Sequence, residues 1–406
     1  MSATRAVDEA TRNAPPSITR ESFLLAGSLF FIVSTTNILT PLLPDIRTEF
    51  GVSITTAGVI VGSYGLARLL VDLPAAFVSA RIGPRRISLA ALVLLVASCI
   101  LGLNASSVER LILARVGSGI AVGILSTVIL SSLSATATPP NRGKVMSLFH
   151  VANNIGIAAY PLMGGLIGAT AGWRATFLVM LVLALAAAAI LLQVLPRIDP
   201  RRAGAAQGSA GAGARVLHGR ERTVAIVATN VGVVANMINR HGFRNTVLPL
   251  YAATAIGLGG ISIATAIALM SITGLIVATP GGMLGDRIGR RRVITAGLAA
   301  IAAGDLVFLL TGDLVTFLLA AGLIGFGDFF SSSQTALLSE IVPPDQRTKV
   351  LGGYRFSADL GAFIGPVLLA AVMDLVSVQA TILLAAGILL CASLVARVGV
   401  PQTFDR

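Results

Sequence analysis

The chain has 406 residues, of which 55% are hydrophobic and only 12% are charged, and its mean hydropathy is +0.87. Soluble domains carry about 25% charged residues, so this composition excludes a soluble fold, a coiled coil and a disordered chain. The net charge of +12 is compatible with nucleic-acid binding. However, most arginines lie in short segments between long apolar runs, as in proteins whose charges orient them in a membrane. We therefore predict a lipid bilayer as partner and no nucleic acid.

Twelve apolar segments are long enough to cross a bilayer core of about 30 Å, which takes roughly 20 helical residues. The predicted spans are 23–44, 57–79, 87–104, 109–137, 145–169, 173–195, 223–251, 260–284, 293–311, 313–342, 349–373 and 376–398. This pattern predicts an all-α membrane protein with twelve transmembrane helices.

Between spans six and seven, residues 196–222 are rich in glycine and alanine and carry arginines on both flanks. Such a composition is typical of a flexible linker. It predicts two six-helix halves, 23–195 and 223–398, with a polar amino tail 1–22 and a carboxyl tail 399–406. We predict that this amino tail is not a removable signal peptide.

Lysine and arginine concentrate on the side of the spans that carries both termini, whereas the opposite side holds Arg47, Arg110 and Arg174. Positively charged loops remain on the cytoplasmic side of a membrane. We therefore predict that both termini are cytoplasmic and that the chain lies in a cell membrane of the prokaryotic type.

The two halves also repeat each other. Residues 74–86 match 280–292 at an offset of 206. Gly156 and Pro161 match Gly361 and Pro366 at an offset of 205. An internal repeat of this length indicates two structurally similar six-helix units in parallel orientation, with pseudo-symmetry between them.

The loop after span eight, residues 282–292, reads GMLGDRIGRRR and resembles the loop signature of the major facilitator superfamily. The equivalent loop after span two has Ala80 where the signature has an acidic residue. An acid beside arginines at a helix end holds neighbouring helix termini, and a contact made in one conformation only biases the switch between conformations. The resemblance implies a conformational latch formed by Asp286, Arg287, Gly289, Arg290, Arg81 and Arg85.

Three span motifs extend the resemblance to the twelve-span drug/proton antiporter group of that superfamily. Residues 39–44, LTPLLP, are similar to its first-span motif, and residues 156–165 are similar to its fifth-span antiporter motif. Residues 111–119 resemble the fourth-span motif, whose arginine, here Arg115, is associated with proton coupling. The resemblance implies the major facilitator fold. Glycines that permit close helix approach and prolines that bend a helix predict a pivot at Gly156, Pro161, Gly361, Gly365 and Pro366, or plain tight packing there.

Ionisable side chains in the middle of a bilayer cost roughly 2.5–3.5 kcal/mol each on insertion scales, so each is a functional candidate. Arg68 and Asp72 are four residues apart, as are Arg355 and Asp359, and each pair therefore shares one helix face. A static salt bridge and a proton-coupling role are both consistent with this spacing. The candidates for proton coupling are Asp359, Asp328, Asp72, Arg115, Arg355 and Arg68.

Among these groups Asp359 and Asp328 are the favoured proton carriers, because a buried acid holds a proton and releases it when an arginine approaches. Arg115 is expected to be the approaching cation. Asp305, near the middle of span nine, is a weaker candidate because that span is often peripheral in the family that the sequence resembles.

Polar residues in spans one, five and seven predict a central cavity, since spans one and seven of parallel-repeat transporters face the centre. The predicted cavity residues are Asn37, His150, Asn153, Asn154, Tyr160, Asn236, Asn239, Arg240, His241 and Arg244.

Together these features predict a monomeric secondary transporter that works by alternating access and exports small apolar or cationic compounds in exchange for protons. The sequence has no nucleotide-binding loop, no cluster of metal ligands and no nucleophile motif, so we expect no enzyme activity, no cofactor and no metal. One alternative is a facilitator or exporter of an anionic metabolite, sugar or lipid, because buried arginines attract anions. That alternative requires Arg240 and Arg244 to point into the cavity. A more remote alternative is a membrane sensor that does not transport.

Overall fold

A computed structural model describes residues 19–137, 141–195, 217–343 and 346–402. The predicted tails 1–22 and 399–406 and the linker 196–222 therefore lie partly outside the described residues. The long helices are α1 (Arg20–Phe50), α2 (Ile54–Ile82), α3 (Pro84–Leu103), α4 (Val108–Thr136), α5 (Arg142–Ala171), α6 (Arg174–Val194), α7 (219–256), α8 (Gly260–Ile288), α9 (Arg290–Leu310), α10 (Leu314–Ile341), α11 (Arg347–Leu375) and α12 (Val378–Gly399).

Ten of these helices are long and apolar enough to cross a membrane, in the described part of the chain. The other two, α5 and α7, carry all of the predicted cavity residues except Asn37, which lies on α1. A twelve-span topology with cytoplasmic termini therefore stays a prediction. The chain as described is a multi-pass, all-helical membrane protein.

Local sequence explains where several helices begin and turn. The side chains of Ser53, Ser107 and Ser377 accept a hydrogen bond from a backbone N–H in the first turn of α2, α4 and α12. Gly83 and Gly289 link α2 to α3 and α8 to α9 with φ of 93° and 94°. These two glycines are equivalent in the repeat, and only glycine adopts that backbone conformation without strain.

The helices pair in the same way in both groups of six. In the first group α2 and α3 contact α4, α1 contacts α5 and α6, and α3 contacts α6. In the second group α8 and α9 contact α10, α7 contacts α11 and α12, and α9 contacts α12. Buried apolar residues form two clusters that largely follow this division. The repeated sequence therefore produces a repeated packing.

The two groups meet along α2 with α11 and along α5 with α8. Where α2 crosses α11, a methyl group added at Gly58 would lie 2.5 Å from the carbonyl oxygen of Pro366. At one end of the bundle, the Asp374 carboxylate accepts hydrogen bonds from the hydroxyl and backbone N–H of Thr55, at 2.8 Å and 3.3 Å. These contacts close the bundle at the end opposite the chain termini.

Two helices depart from the uniform spans that the sequence predicts. In α1 the α-helix ends at Asn37 and is followed by a 3₁₀ turn at Thr40–Leu42, where Pro41 lies, before a second α-helix begins at Leu43. In α7 the α-helix Gly219–Met237 is followed by ten residues of π-helix, Ile238–Val247. π-Helix is rare and occurs mostly at functional sites.

Replacing Gly365 with alanine is expected to lower the thermal stability of the protein. Its added methyl group would lie 2.7 Å from the backbone of Ile238, and both residues belong to the same half, so rigid movement of the halves offers no relief. Gly27→Ala is the matched control, since no atom lies within 4 Å of its added methyl group, and alanine there favours the helix by about 0.5–1 kcal/mol. Thermal unfolding in detergent measures both. An unchanged melting temperature for Gly365→Ala would refute close packing at this site.

Candidate functional site

Two cavities lie between the halves, near the middle of the bundle. The first has a volume of about 80 Å³, and its polar wall includes Asn154, Arg240, Arg244 and Asp328. The second has a volume of about 180 Å³, and its polar wall includes Arg68, Arg115, His241 and Asp359. We refer to them as the Arg240 cavity and the Asp359 cavity. Asn245 lines both, and its side-chain amide donates to Asn37 across the halves at 3.3 Å.

In the Asp359 cavity, one arginine lies beside two acids. A guanidinium nitrogen of Arg68 is 3.5 Å from Asp72 and 3.8 Å from Asp359, which belongs to α11 in the other half. The predicted contact between Arg68 and Asp72 is therefore present. Two carboxylates therefore share one guanidinium, and they belong to different halves.

Of the two readings left open for Arg355 and Asp359, the static salt bridge is not formed between these described residues in this conformation. Arg355 is exposed, and the described ion pair of Asp359 runs to Arg68 instead. Four-residue spacing places Arg355 and Asp359 on one helix face, but Arg68 projects toward Asp359 from the helix that α11 packs against.

Arg115 also differs from the expectation, because among the described residues no acid pairs with it. Its guanidinium donates to the backbone carbonyl of Thr35 at 2.5 Å and lies 4.6 Å from the centre of the Tyr64 ring. Both are favourable contacts for a buried arginine. In this conformation the fourth-span arginine therefore links α4 to α1 and α2.

Beside the Arg240 cavity, a buried polar chain runs through four side chains. Arg244 donates two hydrogen bonds to Asp328, at 2.7 Å and 3.2 Å, and a third to the amide oxygen of Asn239 at 2.9 Å. Asn239 in turn donates to Asp305, which is fully buried. Asp305, predicted as the weaker candidate, is thus part of the most extensive polar network described in the bundle.

The π-helix in α7 explains how these four side chains come to be linked by hydrogen bonds. Asn239 and Arg244 are five residues apart, a separation that places side chains on different faces of an α-helix. In a π-helix, residues five apart are joined by the backbone hydrogen bond and lie nearly above one another. The wider turn therefore allows Asn239 to contact both Asp305 and Arg244.

Other predicted cavity residues lie elsewhere. Tyr160 is fully buried, and its hydroxyl donates to the carbonyl of Phe30, so it packs within the first half. His150 is exposed, and neither Asn153 nor Asn236 lines a described cavity. Their spacing indicated a polar helix face but not which part of that face reaches the cavity.

The predicted latch is built around Arg290. Its guanidinium is within 2.5 Å of Asp286 and 2.9 Å of Glu340, an acid on α10 that sequence reasoning missed. Arg287, Arg81 and Arg85 are exposed. In the repeat, Ala80 and Pro84 replace Asp286 and Arg290, so the first half lacks this arrangement.

Of the predicted pivot residues, Gly361 and Gly365 lie where two helices approach closely. Added methyl groups at Gly361 and Gly365 would meet the α7 backbone, and Pro366 contacts α2 in the other half. Gly156 lies against Tyr160 and Val33, three residues beyond the polar Asn153. Pro161 and Pro366 both lie inside continuous helices.

A repeated helical bundle in a membrane, with two polar cavities between its halves, is the architecture of a secondary transporter. A family model described as Major Facilitator Superfamily matches residues 25–240 and 229–404. The chain belongs to this superfamily, and it is a transporter rather than an enzyme.

Three comparisons illustrate the relationship. The chain is 26% identical over 378 residues to a chloramphenicol resistance protein of Streptomyces lividans, covering 92% of this chain and 94% of that protein. It is 28% identical over 184 residues to a probable sugar efflux transporter of Pasteurella multocida, covering 45% of each chain. An inward-facing structure of a bacterial homologue of the human lysosomal transporter Spinster aligns with a TM-score of 0.74 and 14% identity, covering 93% and 95% of the two chains. This last similarity concerns the fold alone.

Replacing Arg244 with glutamine is expected to destabilise the protein by about 3–5 kcal/mol, because Asp328 and Asn239 would lose their buried partner. The double variant Arg244→Gln/Asp328→Asn removes both charges and should recover part of that loss. Arg397→Gln, at an exposed arginine, is the control. Thermal and denaturant unfolding measure the effect. Equal stability of the single variant and the control would contradict the importance of this ion pair.

Proposed function

We propose that this protein exports a small molecule across the cytoplasmic membrane in exchange for protons, by alternating access. The observation that carries the proposal is the group of Arg68, Asp72 and Asp359, whose charges come from both halves. Arg68 and Asp359 also line a cavity between those halves. Movement of the halves would separate Arg68 from Asp359. Uptake and release of a proton at Asp359 would then accompany each change of conformation.

The comparisons support export. The relative from Streptomyces lividans is called a chloramphenicol resistance protein, and a partial relative is called a cephamycin export protein. Several other partial relatives are called probable sugar efflux transporters. With both termini cytoplasmic, the described conformation is closed toward the outside, at Thr55 and Asp374. We infer a monomer, since each chain supplies both halves of the cavities.

The second candidate function is facilitated transport or export of an anion without coupling to protons. Arg240 and Arg244 both line the Arg240 cavity, the placement that this alternative requires. The same placement opposes export of cationic compounds, because two arginines in one cavity repel a cation.

Asp359→Asn is expected to abolish transport driven by an imposed pH gradient while leaving passive exchange of substrate across the membrane. The amide retains the shape and hydrogen-bonding capacity of the carboxyl group but cannot release a proton. Flux of radiolabelled chloramphenicol, a neutral compound, and of a radiolabelled cephamycin, a carboxylate, measures both modes in proteoliposomes with and without a gradient.

Asp45→Asn is the matched control for this experiment, because Asp45 is exposed at the end of α1 and lines neither cavity. Gradient-driven flux at the wild-type rate in Asp359→Asn would refute its role as proton carrier. Wild-type flux that ignores the gradient would favour the facilitator.

Linking the closed end of the bundle is expected to stop transport. A double variant, Thr55→Cys/Asp374→Cys, places thiols on α2 and α11 where these helices contact each other. The background should carry Cys99→Ala and Cys391→Ala, which remove both native thiols. A short bismaleimide should abolish substrate flux in the double variant and spare each single variant. Undiminished flux after complete cross-linking would contradict opening at this end.

A further inference from the structure

The two cavities are equivalent under the internal repeat but differ in chemistry. One is lined by α7, α8, α10, α1 and α5, and the other by the equivalent helices α1, α2, α4, α7 and α11. At the offset of 205, Asn154 in the Arg240 cavity corresponds to Asp359. At the offset of 206, Gly274 corresponds to Arg68. The Arg240 cavity therefore has an amide and a glycine where its counterpart has an acid and an arginine.

The guanidinium of Arg240 is the distinctive feature of this cavity. In the described part of the chain, Arg240 makes no hydrogen bond and no ion pair, although its side chain lines the cavity between the halves. The nearest acid in the cavity wall, Asp328, accepts from Arg244 through both carboxylate oxygens. The N–H groups of the Arg240 guanidinium are therefore available to a ligand. An unpaired cation is costly to bury at this depth in the bundle.

The opposite wall adds neutral donors and apolar surface. Asn154 lines the cavity, and Asn37 uses its carbonyl oxygen to accept from Asn245, which leaves its N–H groups available. Ile157, Ile267 and Leu275 contribute apolar surface to the cavity. A volume of about 80 Å³ holds a group of a few heavy atoms, with the rest of the molecule extending between the halves.

We propose that the Arg240 cavity binds a carboxylate of the transported compound, with Arg240 as its ion-pair partner and the Asn154 amide as a second donor. A planar guanidinium and a carboxylate form two parallel hydrogen bonds, which fixes orientation as well as charge. A cationic group is excluded because Arg240 and Arg244 face it together. The substrate is thus an organic acid with an apolar body, and proton handling is left to the Asp359 cavity.

This inference rests on the proposed transport function but concerns equilibrium binding, so the two can fail separately. The test uses the full chain in detergent at fixed pH, without a gradient, and measures binding by calorimetry and by the shift in melting temperature. Three probes share one skeleton: phenylacetate, the neutral isostere phenylacetamide, and the cation phenethylamine.

Wild-type protein is expected to bind phenylacetate at least tenfold more tightly than phenylacetamide and to show no binding of phenethylamine. Arg240→Gln should remove that preference, and Arg240→Lys should retain part of it because the charge remains. Arg397→Gln should match the wild type.

A preference for phenylacetate that persists in Arg240→Gln would overturn the assignment, as would equal affinity of the wild type for the acid and the amide. Asp359→Asn keeps the preference if the cavities divide their roles as proposed. Its loss in that variant would show that the Asp359 cavity is the site of the anion instead. Failure of gradient-driven flux alone would leave the binding preference intact and would count against the proposed function only.

Discussion

A charged side chain in the middle of a bilayer is costly to bury without a partner, and this cost shapes the centre of the molecule. Arg244 is held by Asp328 and Asn239, and Arg68 by two acids from different helices. Asp328 and Asp359 come from helices distant in sequence from their arginines, so these ion pairs join separate helices at the centre of the bundle. The local backbone follows the same requirement, since the π-helix of α7 brings Asn239 to Arg244.

The internal repeat gives both halves the same helix arrangement. The two halves differ in a few side chains at equivalent positions. Helix pairing is the same in both halves, and so are the glycines with positive φ at Gly83 and Gly289. Against this background, Asn154 and Asp359 differ at equivalent positions, as do Pro84 and Arg290. The second half has Asp359 and the charged cluster around Arg290, whereas the first half has Arg68 where the second has Gly274. The two halves therefore contribute different charged groups to the bundle.

Sequence reasoning was most successful where a pattern depends on one helix alone. Apolar run length located every long helix to within several residues, and a spacing of four predicted the contact of Arg68 with Asp72. Glycine patterns identified where helices approach closely. These properties follow from helical geometry and hydrophobicity, which can be read from neighbouring residues in one chain segment.

Contacts between helices were much harder to predict. The arginine beside Asp359 belongs to another half of the chain, and spacing within α11 pointed to Arg355 instead. Asp305 was ranked low because its helix was expected to be peripheral, and the π-helix that connects it to Arg244 has no signal in a hydropathy pattern. Tyr160 was predicted to line the cavity because its hydroxyl is polar. That hydroxyl instead donates to the backbone carbonyl of Phe30 deep within the first half.

The ion pair between Arg68 and Asp359 links protonation of the acid to movement of the two halves. At one end of the bundle, Gly58 and Pro366 approach closely through the backbone, a contact with no charge to change, and Thr55 donates to the Asp374 carboxylate. Arg68 and Asp359 lie on the same two helices, nearer the middle of the bundle, and their attraction depends on whether the acid carries a proton. A proton on Asp359 weakens this contact and leaves the packing contacts as they were. Because binding and conformation are linked reciprocally, separating the halves must in turn change the affinity of Asp359 for its proton. That reciprocity requires that the distance between Arg68 and Asp359 differ between the two conformations.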